Sequence, residues 1–310
     1  MAGKRVALAL GSGSARGYAH IGVIEELRER GFEIVGIAGS SMGALVGGLQ
    51  AAGKLDDFTE WAKSLTQRAI LRLLDPKIGA AGVLRAEKIL DAVREILGEV
   101  TIEQLSIPFT AVSTDLLTGK SVWLQRGPVD AAIRASIAIP GVIVPHVLDG
   151  RLLADGGILD PLPMAPIAAV NADLTIAVSL AGSETGTESG GDEPDDATSR
   201  ARMEWLTRVW RSTTALFDSN QSDDATAELV DASKEVSVPK LGSFEVMNRT
   251  IDIAQAALAR HTLAAYPPDL LIEVPRTVCR SLDFHRAAEV IDIGRALTAE
   301  VLDEHEKTTA

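Results

Sequence analysis

Gly39-Ser40-Ser41-Met42-Gly43 places a serine in the spacing G-x-S-x-G, between a β-rich apolar run (Phe32–Ala38) and an apolar segment of helical character (Ala44–Ala52). In a sharp strand-to-helix turn this spacing projects the central hydroxyl from the sheet edge, and the glycines let strand and helix approach closely. The following helix points the positive end of its dipole at that hydroxyl, which favours a developing oxyanion. Ser41 is therefore the candidate nucleophile; the competing reading is a tight structural turn. A second segment, Gly11-Ser12-Gly13-Ser14-Ala15-Arg16-Gly17, leaves the apolar run Lys4–Leu10 and enters a helical stripe. Small residues there allow backbone N–H groups to face an anion. It lacks the Gly-Lys-Ser/Thr ending of a P-loop, and Arg16 occupies the third glycine position of a dinucleotide fingerprint. Glu33 also sits at the start of the second strand, where a ribose-binding acid is not expected.

The serine needs a base. The histidines are His20, His146, His261, His285 and His305. A conventional α/β-hydrolase places its nucleophile after several strands, then an acid, then a histidine; here the elbow arrives after two expected strands. His261 falls within an expected helix and His285 beside Arg286, so structural or surface roles fit both better. Asp155, in Ala154-Asp155-Gly156-Gly157, follows the expected strand Leu152–Ala154. An aspartate at a strand end followed by two glycines reaches an open cleft, although Asp-Gly-Gly alone also reads as a turn.

The elements that must position these residues read as α/β. Lys4–Leu10, a helical stripe over Arg16–Arg30 closed by Gly31, Phe32–Ala38 and Ala44–Ala52 give a βαβα start, hence a parallel sheet with helices on its faces. Further helices are expected at Leu84–Leu97, Val129–Ile137, Arg202–Phe217, Glu245–Ala265 and Arg286–Leu302. Further strands are expected at Pro108–Ser113, Ser121–Leu124, Leu152–Ala154, Leu174–Leu180 and Leu270–Val274. Residues 182–200 are rich in Gly, Ser and acids and read as a mobile loop. With no internal repeat and no break in composition, 1–310 reads as one domain with its core at about 5–300.

Taken together, the motifs resemble the patatin-like phospholipases, lipid acyl hydrolases with a Ser–Asp dyad. Leu10–Ile24 (LGSGSARGYAHIGVI) is similar to that family's oxyanion loop and first helix, Ala135–Gly141 (ASIAIPG) to its block before the aspartate, and Leu153–Pro163 (LADGGILDPLP) to its aspartate block. The resemblance spans roughly residues 5–300 and implies a three-layer α/β sandwich with a mainly parallel central sheet. It implies Ser41 as nucleophile, Asp155 as general base, and the N–H groups of Gly13 and Ser14 as oxyanion donors, with Arg16 supporting their loop. Gly11, Gly17, Gly39, Gly43, Gly156 and Gly157 are the motif glycines. The family pattern has glycine where this chain has Ser12 and Ser14; a serine forced to φ > 0 costs about 1 kcal/mol.

The chain has 310 residues, 46% of them hydrophobic, one cysteine and a net charge of −13. This excludes a disulfide-stapled domain, and the charge argues against nucleic acid as a partner and against docking on anionic lipid. Cys279 is expected as a core residue compatible with a reducing compartment. No targeting segment is expected, because the apolar run Val6–Leu10 is too short for a signal peptide. Ile34–Gly53 is uncharged and long enough to span a bilayer, but its glycines and serines favour a buried strand and turn. No metal or cofactor is expected. The expected partner is an acyl-ester lipid or a small ester, met in the cytoplasm or in transient contact with a membrane surface. The stripe Trp205, Leu206, Val209, Trp210, Leu216 and Phe217 reads as core or an oligomer contact, or with the acidic loop as a cover over the cleft. An acyltransferase using the same dyad, and a silent ligand-binding protein, are the alternatives.

Overall fold

In the computed structural model, residues 3–73, 87–140, 142–182 and 243–309 are described. Eight strands form one sheet: β1 (Arg5–Leu10), β2 (Glu33–Ser40), β3 (Phe109–Asp115), β4 (Lys120–Leu124), β5 (His146–Leu148), β6 (Arg151–Asp155), β7 (Leu174–Gly182) and β8 (Leu270–Pro275). Hydrogen-bonded neighbours run β5-β6-β3-β2-β1-β7-β8, and β4 pairs β3. The pairs β3–β2, β2–β1, β1–β7 and β7–β8 are parallel; β3–β4, β3–β6 and β5–β6 are antiparallel.

The described helices are α1 (Ala19–Glu29), α2 (Met42–Ala51), α3 (Leu55–Ser64), α4 (Gln67–Leu73), α5 (Glu87–Leu97), α6 (Val129–Ser136), α7 (Ser243–Ala265) and α8 (Ala287–Thr309). Strand alternation divides the core between the two sheet faces. Val6, Leu8 and Leu10 with Ile176 and Val178 pack in the larger cluster, which takes the apolar stripes of α1, α2, α6 and α8. Ala7, Ala9, Ala38 and Ala177 face the other way, against Leu162, Ile167 and Ala259 of α7. Large residues on one side and alanines on the other set a deep helical layer against a closely applied one. Cys279 lies in the larger cluster, where burial pushes its thiol up to about 11.

The expected elements recur with shifted ends. The first helical stripe begins as a 3-10 turn over Ser14–Tyr18 before α1 starts. The uncharged window Ile34–Gly53 resolves into β2 and α2, and among the described residues no helix is long and apolar enough to cross a membrane. β5 was not expected; Asp149 and Gly150, at φ 49° and 74°, turn the β5–β6 hairpin as a primed two-residue loop does. Helices α3 and α4 were also missed. The expected helix Arg202–Phe217, the expected loop beyond Gly182, Leu84 and Gly141 lie outside the described residues.

Candidate active site

The sheet brings Ser41 and Asp155 together. Along β3, β4 pairs residues 111–115, while β2 pairs residues 109–112 and β6 pairs residues 113–115. Because β4 occupies one edge throughout, β2 and β6 share the opposite edge, one beyond the other. Ser40 pairs Val112 and Asp155 pairs Ser113. β6 runs antiparallel to β3, so its C-terminal end meets the C-terminal end of β2. Gly156 makes this abutment possible: a Cβ there would lie 2.1 Å from the Val112 carbonyl oxygen and 2.5 Å from Ser40 Oγ.

Ser41 Oγ donates to Asp155 Oδ2 at 2.5 Å, and both residues are buried. Ser41 sits at φ 56° and ψ −121°, a conformation costing a non-glycine residue of order 1–3 kcal/mol. It is held there on both sides. Its carbonyl accepts from the N–H groups of Ala44 and Leu45 in the first turn of α2, and its own N–H donates to Ser136 Oγ at 3.0 Å. Ser136 in turn donates to the Val112 carbonyl at 2.5 Å. Asp155 accepts from the Gly157 N–H at 2.8 Å through its other oxygen. Burial raises the Asp155 carboxyl to about 6, against the lowering effect of these two hydrogen bonds.

The glycine loop lies alongside. Ser12 N–H is used on the Pro161 carbonyl and Ala15 N–H on the Ser281 carbonyl. The Gly13 and Ser14 N–H groups have no acceptor among the described residues, and both residues line a small cavity with Ser41 and Asp155. Of the two serines that stand where the family pattern has glycine, Ser14 is left-handed at φ 49° and Ser12 is not, so the cost of about 1 kcal/mol falls on Ser14. Arg16 is buried and pairs with Asp252 of α7 at 3.0 Å. Gly11 approaches the Val178 and Pro161 carbonyls, Gly17 lies against Met42, and Gly39 and Gly43 face each other across the turn.

Several contributors were not legible beforehand. Ser136 was inside a recognised block without an assigned contact. His20 is fully buried and donates from Nε2 to the Gly11 carbonyl at 2.8 Å; burial lowers it to about 4, so it supports the loop as a neutral ring. Asp252 and Gln255 lie one turn apart on α7, and Gln255 accepts from Ser12 Oγ at 3.2 Å. His261 and His285 do not line the cavities around Ser41. Among the described residues no group of three His, Cys, Asp or Glu side chains is placed to hold a metal ion.

A second, larger cavity of about 100 Å³ also has Ser41 in its wall. Its wall includes Tyr18, Leu45, Phe58, Trp61, Ile137 and Phe284, with Tyr18 and Phe284 edge to face at 6.1 Å between ring centroids. The wall is almost wholly apolar, as an alkyl chain requires.

A serine at a strand-to-helix elbow is hydrogen-bonded to a carboxylate where two strand ends meet on a mainly parallel α/β sheet. The chain belongs to the patatin-like phospholipase family, whose model matches residues 8–168. It is 65% identical to an uncharacterised NTE-family protein of Mycobacterium tuberculosis, over 97% of this chain and 92% of that protein. It is 32% identical to a patatin-like phospholipase domain-containing protein of Caenorhabditis elegans, over 53% of this chain and 12% of that longer protein. Among solved structures it is similar to VipD from Legionella pneumophila, with a TM-score of 0.47 and 17% identity over 97% of this chain and 67% of that one.

Proposed function

We propose that the protein is a serine acyl-ester hydrolase working through Ser41 and Asp155. The observation that carries this reading is the 2.5 Å hydrogen bond between the two side chains, with Ser41 lining the apolar cavity. Ser41 Oγ attacks the ester carbonyl as Asp155 takes its proton. The N–H groups of Gly13 and Ser14 bind the oxyanion, assisted by the N-terminal end of α2. The alcohol leaves with the proton from Asp155, and water activated by the same carboxylate releases the fatty acid. A family named for phospholipases supports a lipid substrate.

A carboxylate base needs its ionised form, so kcat/KM falls as pH drops through about 6. Asp160 is also raised to about 6 by burial, but it has no hydrogen bond to Ser41. Asp160→Asn should leave the acid limb in place; a limb that vanishes with Asp160 overturns the assignment.

The experiment that tests the acyl reading is hydrolysis of matched p-nitrophenyl esters of increasing chain length. Each methylene entering the apolar cavity contributes about 0.8 kcal/mol, roughly fourfold in kcat/KM. The C8 ester should exceed the C4 ester at least ~10-fold. Equal rates, or a C4 optimum, would remove the cavity as an acyl site.

A further inference from the structure

Two cavities meet at Ser41, and they differ in one respect that bears on the chemistry. The apolar cavity is lined by Ser41 but not by Asp155; the smaller one, of about 40 Å³, is lined by both. If the proposed hydrolysis holds, the proton taken from Ser41 resides on Asp155 and must reach the departing oxygen. That oxygen therefore sits on the side of the smaller cavity. As the Ser41 Oγ–carbonyl carbon bond persists and the carbon–alkoxide bond breaks, the proton moves from Asp155 to the alkoxide and the free alcohol leaves. Water enters the same way, since it gives its proton to the same carboxylate.

We propose that this smaller cavity is the alcohol subsite and that it takes an uncharged, hydroxyl-bearing alcohol of the glycerol type. Its wall carries polar side chains that the acyl cavity lacks, Ser12, Asp155, Asp252 and Gln255, set among apolar ones that include Ile158 and Ile251. Asp252 and Gln255 come from α7, beyond the segment that the family model matches. Hydroxyl groups, a carboxylate and a primary amide together offer donors and acceptors, which suits alcohols that both give and accept hydrogen bonds. A phosphate-bearing alcohol fits poorly. No Lys or Arg lines this cavity among the described residues, and a phosphate there would face the Asp252 carboxylate. Arg16 and Arg276 line the adjoining cavity, where they bind the Asp252 side chain and main-chain carbonyl at 3.0 and 3.2 Å. A purely apolar alcohol gains no hydrogen bond from the donors and acceptors that the Ser12–Gln255 and Arg16–Asp252 contacts leave over.

The test compares three octanoyl esters below their aggregation limits: mono-octanoylglycerol, ethyl octanoate and octanoyl glycerol 3-phosphate, with released octanoate as the readout. The wild-type protein should give a kcat/KM for the glycerol ester at least tenfold above either of the others. In Gln255→Leu and Asp252→Asn the ratio of glycerol to ethyl ester should fall at least fivefold. A merely structural role lowers all three rates together and leaves the ratio unmoved, which would overturn the proposal. So would a glycerophosphate ester cleaved as fast as the glycerol ester, or a wild-type ratio near one. Failure of the folded wild type to cleave any of the three would instead sink the hydrolase reading, and the subsite with it.

Discussion

Replacing Ser41 by alanine, or Asp155 by asparagine, lowers ester hydrolysis at least ~100-fold, a loss of about 2.7 kcal/mol in transition-state stabilisation. The first change removes the nucleophile; the second keeps the shape of the 2.5 Å contact but removes its capacity to take a proton. The two variants separate in stability. Asp155 is buried with its carboxyl raised to about 6, so the folded state binds the proton more tightly than the unfolded chain. That contribution to stability is fully present below about pH 4 and is lost as pH rises through about 6, leaving a deficit of about 3 kcal/mol at neutral pH. Asp155→Asn, which carries no charge to bury, should therefore melt higher than wild type at pH 8 while being inactive. Thermal melts at pH 8, with kinetics on one ester, check both halves. An asparagine variant that is active, or that melts lower at pH 8, contradicts the account.

Gly43→Ala carries the second large effect. A Cβ there would lie 2.0 Å from the Leu10 carbonyl oxygen and 2.5 Å from its carbon, both main-chain atoms of β1 that cannot rotate away. On the other side of the turn, a Cβ at Gly39 would lie 2.3 Å from the Gly43 carbonyl. Strand β1, the end of β2 and the start of α2 are thus stacked at glycine spacing. One methyl group must push α2 from the sheet and carry Ser41 with it. Overpacking of this kind costs about 1–3 kcal/mol or more, and for a chain this long each kcal/mol lowers Tm by about 2–4 °C. The expected result is a Tm lowered by several degrees and a more than tenfold loss of activity in the fraction still folded. A variant with wild-type Tm and turnover would show that the elbow does not depend on this approach.

The elbow and the aspartate block were legible because each is local. Gly39 to Gly43 carry a strand-to-helix turn within five residues, and Asp155 stands at a strand end marked by two glycines. Their meeting was not legible from spacing. It depends on β6 running antiparallel along β3 just beyond the end of β2, and the short β5, which pairs β6, offered too few residues to show alternation. Arg16 was assigned to its loop by resemblance alone; its partner Asp252 is 236 residues away, in an expected helix to which the sequence attached no role. His20 was hidden for the opposite reason, since a histidine within an apolar helical stripe gives no sign of the carbonyl it binds. Ser12 and Ser14 were singled out as departures from the glycine pattern, and only the backbone shows that Ser14 bears the strain.

The most direct test of the central claim is to trap the acyl-enzyme. The protein is mixed with excess p-nitrophenyl octanoate, quenched in acid within the first turnover, digested and mapped by mass spectrometry. The account predicts an octanoyl group on the peptide carrying Ser41, absent in Ser41→Ala and strongly reduced in Asp155→Asn. Octanoyl on another residue, or hydrolysis that proceeds undiminished in Ser41→Ala, would contradict it.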